Sequence, residues 1–238
     1  MKKLIVLLII LVAYVGTSLE ANAHAIWIQS NPNATKNKAH EVNVYYGEYP
    51  EGQTDSVEKW FSDLKDLEVW VTSPSQKKTK LVLKDAKTHL VSSFIPDEDG
   101  VYYVSTAHTT KELGGTTKYE FSSAVPVVSG NASSAPVSAP SSPLVIVSEP
   151  KSYRTNQVIE LQVRKDGEAL AKGEVAVMSP QGWVKTLHTD DQGKISFTPH
   201  LKGRYVIEAS DYKKEAGQWN DKAYTHTWKG STTSFVVN

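Results

Sequence analysis

Across 238 residues, 26 Lys and Arg balance 26 Asp and Glu, and there are seven His and no Cys. That balance argues against nucleic acid or an anionic membrane surface as a partner. The lack of thiols excludes a disulfide framework, a thiolate metal site, a cysteine nucleophile and lipoprotein acylation, so a hydrophobic core must hold the fold.

Lys2 and Lys3, the apolar run from Leu4 to Val15 and the small-x-small triplet Ala21-Asn22-Ala23 read as a secretory signal peptide over residues 1–23. The apolar run is shorter than the roughly 20 residues of a spanning helix. No direct membrane insertion is therefore expected, and the mature chain belongs in the periplasm or outside the cell. Removing Lys2, Lys3 and Glu20 leaves 24 basic against 25 acidic residues in a mature chain of 215. A second triplet, Ala23-His24-Ala25, offers an alternative cut before Ile26.

A cut after Ala23 makes His24 the first residue. Its α-amine, with a reference pKa of roughly 7.7–8.0, keeps a usable neutral fraction near pH 7. With Nδ1 of the same side chain the amine can close a chelate ring, and one further histidine would complete the three-nitrogen tetragonal set that suits Cu(II) or Ni(II), a histidine brace. A histidine following a signal-peptide site also arises by chance.

Short strands follow. Ala25–Ile28, Glu41–Tyr46, Leu67–Val71, Lys80–Leu83, His89–Phe94 and Val101–Thr106 carry apolar residues in alternation or in short runs. Only Asp55–Asp66 reads as helical. Residues 131–143, rich in Pro, Ser and Ala, lack an apolar pattern able to offset the entropy of ordering and read as a linker. Beyond it, Leu144–Val147, Val158–Val163, Glu174–Met178, Lys194–Phe197, Arg204–Ala209 and Thr232–Val237 are strands separated by turns at Asp166-Gly167, Gln181-Gly182, Asp190–Gly193 and Lys202-Gly203. The expected architecture is all-β, with two antiparallel β-sandwich domains of immunoglobulin-like type at 24–130 and 144–238.

Several of these segments carry a family resemblance: His24–Ile28, Val44–Glu48, Asp99–Val104, Asp166–Leu170, Thr189–Gly193 and Gly203–Tyr205. Together they resemble a family of exported proteins of the domain-of-unknown-function 4198 type, tied to periplasmic nickel and cobalt uptake. The second half also resembles the carboxypeptidase-regulatory and transthyretin-like sandwiches, where a Thr-Asp-x-x-Gly turn and a Gly-x-Tyr strand recur. The resemblance implies a two-domain periplasmic β protein that binds or delivers a transition-metal ion. It matches His24 to that family's histidine near the mature start, and leaves the other histidines unassigned.

Among those others, His108 follows a strand in Ala107–Thr110, where loop residues held by a sheet often bind ligands. His226 shares one face of an alternating segment with Tyr224 and Trp228; it is either a ligand or a buried polar partner of two core aromatics. Either histidine is a candidate third nitrogen, and His226 would place the ion between the two halves. Glu48 is a candidate carboxylate, in a stretch that also reads as a solvated turn. The acidic turns 96–100 and 190–193 lack the ligand series of a calcium loop. Neither a zinc-protease helix, a nucleophile elbow, a phosphate loop nor a dinucleotide fingerprint occurs.

A non-enzymatic metal-binding protein serving nickel, cobalt or copper, with a membrane metal transporter as partner, is the first expectation. A carbohydrate-binding or adhesion module is the second, with Trp183 and Trp219 beside turns as stacking candidates. In that reading Trp27 and Trp70 belong to the core and Trp60 is left open. A histidine-brace copper oxygenase ranks last.

Overall fold

The computed structural model describes residues 24–131 and 142–238. The signal-peptide reading and most of the proposed linker lie outside the described residues. The first half supplies β1 (Ala25–Ser30), β2 (Asn33–Ala34), β3 (His40–Glu48), β4 (Gln53–Thr54), β5 (Val69–Thr72), β6 (Lys78–Lys80), β7 (Lys84–Asp85), β8 (Leu90–Phe94), β9 (Gly100–Thr109) and β10 (Thr117–Ser129). The second supplies β11 (Leu144–Val147), β12 (Ile159–Lys165), β13 (Glu168–Ala169), β14 (Glu174–Met178), β15 (Val184–His188), β16 (Lys194–Phe197), β17 (Gly203–Trp219) and β18 (Lys222–Val237). The chain is all-β, as its alternating pattern predicts. The segment read as helical forms only two single 3₁₀ turns, Val57–Lys59 and Leu64–Asp66: Val57, Trp60 and Leu64 are buried at helical spacing, but Trp60 is extended (ψ 139°) and Ser62 takes a φ of +57°, which break the helix between them. Lys80–Leu83 is strand only at its first residue; Leu81 is buried while Val82 is 81% exposed.

The strands form three sheets. One runs β1-β3-β8-β7 with β4 on β3, and a small one joins β11, β12, β13 and β16. The largest runs β15-β14-β17-β18-β10-β9-β5-β6 and draws strands from both halves of the chain. Its central seam is the parallel pairing of β10 with β18, from Thr117 opposite His226 to Ser123 opposite Thr232.

β1 stands over this seam. One of its edges pairs with β3. The other is satisfied by side chains: Ile28 N donates to Ser123 Oγ (3.1 Å), while Thr232 Oγ1 donates to Ile26 O (2.6 Å) and Ser234 Oγ to Ile28 O (2.5 Å). Backbone groups taken out of water need such partners. The alternation of a strand then sends the two faces of β1 into different cores. Ile26 and Ile28 join Val42, Val44, Val104, Phe121 and Val125 on one side; Trp27 joins Met178 and Val206 on the other. A separate core around Leu161, Val177, Tyr205 and Ile207 fills the second half.

Candidate functional site

His24 heads β1. The antiparallel register that sets Ala25 against Gly47 carries on to bring His24 opposite Glu48, and His24 Nδ1 lies 3.3 Å from Glu48 Oε1. Beyond Glu48 the chain makes a 3₁₀ turn, Tyr49–Glu51, closed by Gly52 in the left-handed region. It returns as β4, with Thr54 paired to Gly47. The return passes so close that a Cβ on Gly47, whose φ is +150°, would lie far inside contact with the carbonyl oxygen of Gln53. Only glycine lets the strand come back there. Asp55 N then donates to Tyr46 O (2.9 Å), and Asp55 Oδ2 reaches to 3.4 Å from His24 Nε2. The ring of Tyr46 backs the imidazole at 5.2 Å between centroids.

The imidazole thus has a carboxylate on each side. Its own side chain is 37% exposed, whereas that of Glu48 is 14% exposed and lies behind it. Burial, followed by the charge of Glu51, pushes the Glu48 carboxyl above its ordinary value, and His24 opposes that shift. The two carboxylates lie against different ring nitrogens, so one ion cannot take both. Their chemical roles differ accordingly. Nδ1 is the nitrogen that can chelate together with the main-chain nitrogen of the same residue, and it faces Glu48. Nε2 faces Asp55, in the arrangement by which a carboxylate fixes the tautomer and orientation of a metal-binding histidine. Ligand bonds of roughly 2.0–2.2 Å set neighbouring donors about 3 Å apart, which the Nδ1–Oε1 separation approaches. Among the described residues, no three His, Asp or Glu side chains converge as a metal-binding group. Side chains alone therefore offer two donors on the Nδ1 side of His24.

The other candidates stand apart. His108 Nε2 lies 3.1 Å from Asp63 Oδ1. Burial works to raise the Asp63 carboxyl, but the Lys111 N–H, His108 and the Ser62 hydroxyl together outweigh it and hold the group at about 2. His108 lies within β9 rather than past the end of a strand, so the pair ties the turn at Ser62-Asp63 to that strand, while in the loop beyond it Lys111 N donates to Asp63 Oδ1 and Glu112 N to Ser62 Oγ (both 2.9 Å). His226 stacks on Tyr212, with centroids 5.2 Å apart and planes 3° apart, and its Nδ1 is 2.9 Å from Thr225 Oγ1. Among the described residues neither histidine contacts His24. Because Thr232 and Ser234 bond Ile26 and Ile28 in order, His24 lies level with Gly230 of β18. At 3.3 Å per residue, His226 is then about 13 Å further along the strand.

Trp183 is 38% exposed and edge-on to Tyr205. Trp219 is half-buried: its Nε1 donates to Thr110 O (2.8 Å), and Lys118 Nζ sits 4.9 Å above its ring. Among the described residues the two tryptophans do not meet. Trp27 and Trp60 are buried, and Trp70 is half-buried.

A family model described as "Domain of unknown function (DUF4198)" matches residues 21–212. The chain belongs to the DUF4198 family. The DUF4198 match takes in His24, Gly47, Glu48, Asp55, Asp63 and His108, and stops before Trp219 and His226. A search of curated proteins gives no match to the chain.

Reading the sequence alone overlooks Asp55. It lies 31 positions from His24 with no motif linking the two, and the only local sign of the fold-back is Gly47 at the end of an alternating strand. Glu208 is overlooked as well. It sits mid-strand in β17 opposite Ala176 and Thr232, and burial, with a smaller push from Glu174, raises its carboxyl to about 8.

Proposed function

We propose that this DUF4198 protein is exported, is cut after Ala23, and carries a transition-metal ion, nickel or cobalt, as an accessory to uptake by a membrane metal transporter. The ion is cargo, held by the His24 amine, His24 Nδ1 and Glu48, with Asp55 orienting the ring through Nε2. The observation that carries this reading is the 3.3 Å approach of His24 Nδ1 to Glu48, with Nε2 turned to a different carboxylate. Two side-chain donors hold an ion weakly; the free amine supplies the third donor and the chelate ring. Copper would bind such a nitrogen set more tightly than nickel or cobalt, so availability outside the cytoplasm decides the occupant. The exposed edge of the imidazole suits an ion that must be passed on.

The test is native mass spectrometry of the protein recovered from the periplasm. The expected mass begins at His24 and carries one nickel, cobalt or copper ion, which is lost in His24→Ala and weakened in Glu48→Gln. A mass beginning at Ile26, or a protein that stays metal-free when titrated with all three ions, overturns the reading.

A further inference from the structure

A mostly polar cavity of about 500 Å³ lies between the end of β1, the start of β3 and the end of β18. Its fixed charge is Arg204. Arg204 Nη1 donates to Ser234 Oγ (3.1 Å), and no carboxylate among the described residues pairs with it. Burial pushes this guanidinium below its ordinary value, against the opposing influence of Tyr49 and Tyr45. Such a group is a cation withdrawn from water without a counter-ion, and it has donors to spare: a guanidinium carries five N–H groups in a fork that fits a carboxylate.

Asn43 and Glu41 line the same cavity from one face of β3. Asn43 Nδ2 donates to Glu41 Oε1 (2.9 Å). An ionised carboxylate only accepts, so this bond fixes which end of the amide is nitrogen. The other end, Asn43 Oδ1, is buried away from the cavity, so the part Asn43 plays there is to steady Glu41. Arg204 and Glu41 line the same cavity, and among the described residues no ion pair joins them. The cavity therefore presents an unused anion-binding fork together with an exposed carboxylate, that of Glu41.

We propose that this cavity binds a small zwitterion, an α-amino acid with a polar side chain, its carboxylate on Arg204 and its ammonium on Glu41. Gln29, Ser30, Asn31, Asn33, His40 and Ser152 make the rest of the wall mostly polar, which selects a polar side chain over an apolar one. The site is independent of His24 and of any bound metal.

The test is a thermal-shift and calorimetric screen of the mature protein against the twenty common L-amino acids. The tightest binder is then compared with its deamino acid and with its carboxamide. The expected result is saturable binding by a polar member, with both derivatives at least about tenfold weaker, as a bidentate or charged contact demands. Arg204→Lys and the exposed Glu41→Gln should each weaken binding by a similar factor; the latter removes no core contact, so it reads the site even where Arg204→Lys unfolds. No binding by any of the twenty, equal binding of the deamino acid, or full binding by folded Glu41→Gln overturns the proposal.

Discussion

Thr232 donates its hydroxyl hydrogen to the carbonyl of Ile26 across 206 residues of sequence, at 2.6 Å and out of contact with water. Its oxygen also lies 2.9 Å from Ser123 Oγ, the group that accepts Ile28 N. A small buried hydroxyl network thus takes the place of a neighbouring strand for β1, and fixes the height at which His24 emerges.

Thr232→Val keeps the shape and removes the donor. Leaving the Ile26 carbonyl unmatched should lower stability by about 1–3 kcal/mol. Urea unfolding at pH 7 measures it. A loss near zero would mean that water replaces the hydroxyl and that β1 is held by its apolar face alone.

Gly47→Ala should be worse for the fold than its size suggests. A left-handed backbone on a residue with a Cβ costs about 1–3 kcal/mol, and the collision with Gln53 adds to it. Relief requires β4 to move, taking Asp55 away from His24 Nε2. Asp55→Asn separates the two effects: stability should stay close to that of the parent, while nickel affinity falls by about 10–100-fold, the usual cost of an orienting carboxylate. Calorimetric titration of nickel, paired with a melting curve for each variant, distinguishes the two.

Glu208 gives the protein a pH dependence of a definite sign. Its folded-state carboxyl titrates at about 8, against an ordinary 4.5. Between those values the folded state holds a proton that the unfolded chain releases, so stability falls as pH rises from about 5 to 8. The residue is only partly covered, which limits the decline to a few kcal/mol or less. Glu208→Gln should flatten the trend and raise the urea midpoint at pH 8 more than at pH 5. A parallel offset at both pH values would show that Glu208 does not titrate in this range.

The strands with plain alternation were legible from the sequence: Glu41–Tyr46, Val101–Thr106 and Val158–Val163 all lie within observed strands, with one residue of overhang at Val158. β10 was not. It is buried on both faces through its middle, with Ser122 on one and Ser123 on the other, and Pro126 removes a ladder donor, so no periodic apolar signal marks it. Those serines are buried because they serve β1 and the chain near Leu144, a tertiary reason that local sequence does not carry. The same holds for the site. His24 was visible through its place after a small-x-small triplet and Glu48 through its loop. Asp55, Asn43 and Arg204 acquire meaning only once β4 folds back and β17 comes alongside β18.

The parallel seam between β10 and β18 also sets an order of events. β10 is synthesised about a hundred residues before the strand it pairs with, so the largest sheet stays open until the last strand arrives. A topology dominated by such distant pairings folds slowly. For a chain exported as proposed, that delay is useful: β1, β3, β4, β7 and β8 can pair early, but the largest sheet cannot be finished while its last strand is still in a narrow translocation channel. Closure comes after crossing, when β18 reaches β10 and seats β1 over the seam.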